Sequence, residues 1–269
     1  MQRFFIPPDL WKPDDLRLTG GEAHHARDVL RLTPGDKAVL FNGQGREITA
    51  ELSQSAAGEL RFSKLTETAT PRLRCHITLG QAIPKGKNMD LIVQKAVEIG
   101  VAEICPLLSD RTIVDLNADA ARDKQAKWQQ VAIEAAKQCG QNWLPRVCRP
   151  QRSKEFLSSL GRDSVEPAYS ATSAGQSAQE KAQRFDLQLI GSLQPDAQHL
   201  KLVLSRYRED RGDRPSSVLI MIGPEGDFTP AELSLAKSHG CQPITLGPII
   251  LRVETAAIYC LSVLSYELF

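Results

Sequence analysis

The spacing of apolar residues changes period once along the chain. Over residues 1 to about 70, short β-like runs at 37–41, 47–52 and 59–65 are punctuated by Pro34-Gly35, Asn42-Gly43 and Gly58. That spacing predicts a small barrel or sandwich. Ahead of these runs, residues 21–32 read as a short helix whose polar side offers His24, His25, Arg27 and Arg31. From Cys75 onward strands and helices alternate. A strand at 76–79 precedes a helix on which Met89, Ile92, Val93, Ala96 and Val97 line one face, and Gly100 stops it. A strand at 104–108, a helix over about 124–139 that buries Trp128, Val131, Ala132 and Ala135, and a strand at 186–190 ending at Gly191 follow. Repeated βα units predict a largely parallel sheet, hence an α/β domain. The mixed-charge run 208–215 reads as a solvated loop.

The most informative pattern lies near the carboxyl terminus, where two strand-to-loop-to-helix transitions occur in succession. Residues 217–222 are an apolar, β-branched run that Gly223-Pro-Glu-Gly226 cannot continue. Thr229-Pro-Ala-Glu232 then carries Thr at an N-cap, Pro at the first helical position and Glu three residues after the cap, a capping box. The cap stabilises by roughly 1 kcal/mol. Gly240 suits the stop of that helix. The second transition runs from 242–246 through Gly247-Pro248 into a helix beginning near Glu254, whose carboxylate complements the helix dipole. Gly223, Gly226 and Gly247 would let backbone groups approach a ligand closely. Two such loops on successive strands predict a pocket at the strands' carboxyl ends.

Composition narrows the class. The chain has 269 residues, of which 42% are hydrophobic and 24% charged, as in a soluble globular protein of one large or two ordinary domains. No apolar run reaches the ~20 residues that span a membrane, and the first residues lack a signal peptide's apolar core, so a cytoplasmic location is expected. Six cysteines are scattered without a C-x-x-C or a Cys/His cluster; four sit in apolar strand or helix contexts, and they read as small buried hydrophobes, with neither a metal nor a disulfide role expected. A net charge of +1 gives no global sign of nucleic-acid binding. The lack of G-x-G-x-x-G and of a phosphate-loop Gly-Lys-Ser/Thr argues against a nicotinamide or nucleotide enzyme.

Gly223-Pro-Glu-Gly-Asp-Phe, Leu246-Gly-Pro-Ile-Ile-Leu-Arg-Val-Glu-Thr-Ala256, Gln94-Lys-Ala-Val-Glu-Ile-Gly-Val101 and Glu134-Ala-Ala-Lys-Gln-Cys-Gly140 together resemble the bacterial 16S ribosomal RNA uridine-N3 methyltransferases (RsmE family) of the SPOUT superfamily. The resemblance runs over nearly the whole length in the right order. It implies a PUA-like RNA-binding β-barrel over 1–70 and, over 71–269, a SPOUT parallel-sheet α/β methyltransferase domain with a trefoil knot. S-adenosylmethionine (SAM) is the implied cofactor, 16S rRNA in the small ribosomal subunit the implied partner, and a homodimer the implied assembly. Periodicity cannot show a knot.

The resemblance also implies residue roles. SAM would sit on Gly191 and Ser192, on Ile222, Gly223, Pro224 and Gly226, and on Leu246, Gly247, Pro248, Ile250, Leu251 and Thr255, whose main-chain groups can read an adenine edge. Uracil N3–H is a weak acid, so a base or an electrostatic stabiliser is needed. Arg252 is expected to stabilise charge developing on the uracil oxygens, and Glu225 or Glu254 to orient the base. RNA contacts are expected from His24, Arg27, Arg31, Lys85, Lys87, Lys95, Arg111 and Gln138.

Ile249 and Gln141 stand where the family usually carries Arg, and Val253 where it usually carries Thr. These departures leave open a different base, or a ribose hydroxyl, as methyl acceptor. A non-catalytic RNA-binding assembly factor is a third reading.

Overall fold

The computed structural model describes residues 1–56, 58–112, 116–160 and 185–269. Its first sheet is built from β1 (Gln2–Phe5), β2 (Leu16–Thr19), β3 (Lys37–Phe41), β4 (Arg46–Ala56) and β5 (Glu59–Ala69), in the order β1-β3-β4-β5-β2. β1 runs parallel to β3 and the other pairs are antiparallel. Register shifts at Thr49/Ala50 and Leu52/Gln54 bend the long β4–β5 ribbon, the usual effect of an extra residue in one strand. Phe4, Ile6, Leu16, Leu18, Leu40, Ile48, Leu52 and Leu60 face inward and are essentially fully buried. The sheet therefore curls around a core of its own. The expected helix over 21–32 is instead a single turn, α1 (Gly20–His24), followed by a π-helical turn over His25–Val29.

The second sheet contains β6 (His76–Ala82), β7 (Glu103–Leu108), β8 (Arg146–Val147), β9 (Gln151–Arg152), β10 (Leu187–Gly191), β11 (Gln198–His199), β12 (Ser217–Ile222) and β13 (Gln242–Thr245). Its order is β11-β13-β10-β12-β6-β7-β8, with β9 also on β7, and every pairing is parallel. The period of two along β12 divides the core. Val218, Ile220 and Ile222 face α2 (Asn88–Ile99), α3 (Ala118–Cys139), α5 (Leu200–Arg211) and α7 (Val253–Leu268). Leu219 and Met221 face α4 (Ser153–Ser159) and α6 (Pro230–Ser238). Helices thus cover both faces, which is why the central strands read as continuous apolar runs.

Three expectations need adjusting. α3 starts at Ala118, because Asn117 accepts the Ala120 N–H and opens two polar turns that carry no apolar stripe. Arg208–Arg211 is no loop but the last turn of α5, where arginines complement the helix dipole before Gly212 ends it at φ 71°. α5 was not foreseen at all, since its buried Leu200, Val203 and Leu204 occupy only its first turns.

The two sheets meet at a defined seam. Gly43 O accepts the Leu144 N–H, Gly45 N–H donates to Asn142 O, and Thr70 N–H donates to Gly45 O. Gly45 has φ 85°, and a Cβ there would lie 2.4 Å from the Trp143 ring and 2.8 Å from Thr70 O. The Trp143 indole N–H donates to Thr70 O, and the Arg72 guanidinium lies 3.9 Å from the Trp143 ring centre. Arg3 bridges Glu47 at 2.8 Å and also donates to Asn142.

Candidate cofactor and RNA site

Because β6, β7, β10, β12 and β13 are parallel, the loops that follow them gather along one edge of the sheet. Side chains then tie these loops to one another over long sequence separations. Glu225 Oε1 accepts the Lys85 main-chain N–H at 2.9 Å. Arg111 donates to Gly226 O. Glu232 Oε1 accepts the Asp110 N–H at 3.0 Å, while its Oε2 accepts from both the N–H and the hydroxyl of Thr229. Asp227 Oδ2 accepts the Leu193 N–H at 3.2 Å, and Asn88 Nδ2 donates to Glu254 Oε2 at 3.1 Å. The capping box at Thr229 and Glu232 forms as the sequence predicts.

Glycine matters at two points here. A Cβ at Gly223 would come within 3.2 Å of Phe228 N and 3.3 Å of Asp227 Cα, so the loop folds tightly on itself. Gly247 adopts φ 130°, which other residues rarely take, and this turns the chain away from β13. Beyond it, Pro248, Ile249 and Ile250 are exposed, the two isoleucines at 76% and 75%. The N–H groups of Ile249, Ile250 and Leu251 donate to nothing among the described residues. Main-chain donors left free in this way could read the polar edge of an adenine ring such as that of SAM.

The residues expected to hold the cofactor fall at the carboxyl ends of β10, β12 and β13 and on the loops that follow, except Thr255, which is exposed in the first turn of α7. Ser192 is buried, with its N–H on Ile244 O, and Gly191 pairs with Ile244 across the β10–β13 ladder. Of the expected catalytic residues, Arg252 is exposed at the N-cap of α7 and has no partner among the described residues. Glu225 and Glu254 are both occupied as hydrogen-bond acceptors, Glu225 between two loops and Glu254 between the first turns of α7 and α2.

The expected RNA contacts fall in three places: the cofactor loops, the first domain, and helices α2 and α3. Lys85 and Lys87 are exposed on the β6–α2 loop, and Arg111 lies against Gly226, so these three border the cofactor loops. His24, Arg27 and Arg31 belong to the first domain. Arg27 and His24 converge on Asp28, and the hydrogen bond from Arg27, then that from His24, holds the Asp28 carboxyl down at about 2. Arg31 is exposed at φ 57°, a conformation few non-glycine residues take. Lys95 is paired with Glu98 at 2.8 Å, and Gln138 is exposed next to Lys137, which bridges Glu22 at 3.1 Å. Gln141 is turned into the seam, where its Oε1 accepts the Trp143 N–H.

Sequence reasoning missed Asp110, Asn88 and Asp227. Asp227 carried a signal inside its motif, since an aspartate after Gly-Pro-Glu-Gly can take the left-handed conformation it shows here, φ 61°. It also missed a cluster on β7 and β8, in which the two thiols of Cys105 and Cys148 lie 3.2 Å apart beside Glu103. Cys75, Cys241 and Cys260 are buried as expected, and burial pushes each thiol up to about 12.

Comparison with known proteins agrees with this layout. The family model described as RNA methyltransferase domain matches residues 71–265, and that described as RNA methyltransferase PUA domain matches 18–64. Ribosomal RNA small subunit methyltransferase E of Bacillus subtilis is 29% identical, covering 99% of this chain and 97% of that protein. The enzyme of the same name from Mesomycoplasma hyopneumoniae is 33% identical over 69% of this chain and 67% of its own length. The crystal structure of ribosomal RNA small subunit methyltransferase E from Neisseria gonorrhoeae bound to S-adenosyl methionine superposes with a TM-score of 0.77 at 30% identity, covering 99% of this chain and 97% of that one. The chain, with its parallel-sheet domain and separate curled β domain, belongs to the ribosomal RNA small subunit methyltransferase E family of RNA methyltransferases.

Proposed function

We propose that this protein transfers a methyl group from SAM to N3 of a uridine in 16S rRNA. The carrying observation is the edge at which the β10, β12 and β13 loops converge, where Asp227 ties the β12 loop to the β10 loop, Glu225 and Glu254 reach the β6–α2 loop and α2, and the N–H groups of Ile249, Ile250 and Leu251 have no acceptor among the described residues. SAM supplies an electrophilic methyl group there. The chain supplies position and charge. Gly223, Gly247 and the 246–251 backbone seat the adenosine. Arg252, exposed and with no side-chain partner among the described residues, stabilises negative charge on the uracil oxygens as N3 gives up its proton to solvent water. Glu225 and Glu254 hold the β6–α2 loop and α2 against this site and so orient the base indirectly.

Residues 1–70 serve as the RNA-holding domain and 71–269 as the catalytic one. No helix among the described residues is long and apolar enough to cross a membrane, and we assign the protein to the cytoplasm with its ribosomal substrate. A cavity of about 530 Å³ between α5 and α7 is lined by Leu200, Leu204, Leu246, Tyr259, Val263 and Tyr266. Tyr266 is 87% exposed. An apolar surface of this kind adjoining Leu246 suits a second copy, so the working unit is taken as a homodimer.

Exposed Ile249 favours one further reading. An apolar residue at the rim, where an arginine would reach RNA, can accommodate another acceptor base. Labelled SAM, small subunits lacking the native uridine methylation, and mass mapping of the product separate the two. Label at uridine N3 supports the first reading, and label elsewhere moves the acceptor.

A further inference from the structure

Glu103 and Cys105 project from one face of β7, and Arg146 and Cys148 from the matching face of β8 and its extension, because each pair is two residues apart. Glu103 pairs with Arg146 in register, and the Cys148 N–H donates to Ile104 O, which carries the same alignment one step on. The result is a square of an ion pair and two thiols at the β7–β8 margin of the sheet, away from the loops that follow the strands' carboxyl ends. Cys105 Sγ lies 3.2 Å from Cys148 Sγ, and the Cys148 thiol donates to Glu103 Oε1 at 3.3 Å. Cys105 is 1% exposed, whereas Cys148 is half-buried and reachable from solvent.

We propose that Cys105 and Cys148 form a reversible intramolecular disulfide, with Cys148 as the attacking thiol and Cys105 as the resolving one, in response to a peroxide. The contact between the sulfurs needs little more than one further ångström of approach to reach bonding distance of about 2.05 Å, and side-by-side strand positions satisfy the Cα spacing a disulfide requires. Cys148 passes its proton to the Glu103 carboxylate. Its sulfur attacks one peroxide oxygen, the O–O bond breaks, and the departing hydroxide takes a proton to become water. Cys105 sulfur then attacks the sulfenic sulfur of Cys148, the S–O bond breaks, and the second oxygen leaves as water with the proton of Cys105. Two thiols have lost two electrons and two protons, and one peroxide has become two waters. Arg146 is held firmly cationic, above all by its hydrogen bond with Glu103 and further by charge on the two thiols, so it sits ready to offset anionic sulfur.

The test is titration of the full-length protein with hydrogen peroxide, followed by alkylation in denaturant and non-reducing peptide mass mapping. The expected product is a Cys105–Cys148 cross-linked peptide two hydrogens lighter than its parts, lost on adding dithiothreitol. Cys148→Ser should slow oxidation of Cys105 about tenfold or more, because the remaining thiol is buried. Cys105→Ser should leave a Cys148 sulfenic acid that dimedone traps, and Ser in either place is close enough in size to preserve the fold. Both thiols remaining alkylatable at a peroxide dose that consumes the exposed Cys139 would overturn the proposal. So would a tightly held zinc ion that protects both thiols in the purified protein, which would make the cluster a metal site.

Discussion

The carboxylate of Glu225 accepts the main-chain N–H of Lys85 from 140 residues away, at 2.9 Å. Glu225 is exposed, so its removal should cost little stability while freeing the β6–α2 loop. Glu225→Ala should lower methyl transfer by roughly tenfold with Tm nearly unchanged, and Glu225→Gln, which keeps an acceptor oxygen, should recover most of it. Steady-state kinetics alongside thermal unfolding separate this positioning role from proton abstraction, for which Gln would fail as badly as Ala.

Arg252 is an exposed cation at the amino end of α7, and its side chain makes no hydrogen bond or ion pair among the described residues. Replacing it by Ala should reduce turnover by about 10²–10³, the size of losing one preorganised donor to developing charge. SAM affinity measured by calorimetry should stay within a few-fold of the parent protein. Near-normal turnover in that variant would remove Arg252 from the chemistry.

Asp227 holds the Leu193 N–H while itself sitting at φ 61°. Asp227→Ala keeps the strained backbone and loses the tie, so stability should drop by about 1–2 kcal/mol and SAM should bind several-fold more weakly. Asp227→Asn should be milder in both, since Asn tolerates this conformation and retains an acceptor. Equal losses for the two variants would deny the tie any role.

Gly45 leaves no room for a side chain between Trp143 and Thr70 O, and its φ is positive. Gly45→Ala should destabilise by about 2 kcal/mol or more and loosen the first domain against the second. Limited proteolysis within the first domain, together with RNA affinity, reports that loosening.

At the same seam burial pushes the Glu47 carboxyl up, but hydrogen bonds from Arg3, Asn142 and Thr68 outweigh it and hold the group below its ordinary value. A carboxyl lowered in the folded state stabilises at pH values above its unfolded pKa of about 4.3, and that contribution fades as pH falls through the folded value. Parent protein and Glu47→Gln should therefore differ by about 1 kcal/mol near pH 7 and converge as the solution is acidified below pH 4. A gap that stays constant down to pH 3 would mean that the charge of Glu47 plays no part.

Much of this architecture was written in local patterns. The switch from β-like runs to βα alternation near Cys75, the capping box at Thr229 and the two glycine-bearing loops all depend on residues close in sequence, and each appears where the pattern places it. What stayed hidden was set by register between distant segments. Glu103 and Cys148 are 45 residues apart, and only the pairing of β7 with β8 brings Cys148 beside Cys105. Asn88 meets Glu254 across 166 residues for the same kind of reason. Helix α5 escaped because charge along most of its length leaves only a short apolar stripe.

The order in which the strands are made also differs from the order in which they lie. β12 lies between β6 and β10, β13 lies beside β10, and α7 packs with α2 on one face of the sheet. The loops proposed to hold SAM are thus made after the β6–α2 segment to which Glu225 and Glu254 tie them. In any growing chain the curled β domain therefore precedes the loops proposed to hold SAM. A chain ended before Val253 would lack α7 and, with it, the hydrogen bond by which Glu254 holds Asn88 at the start of α2.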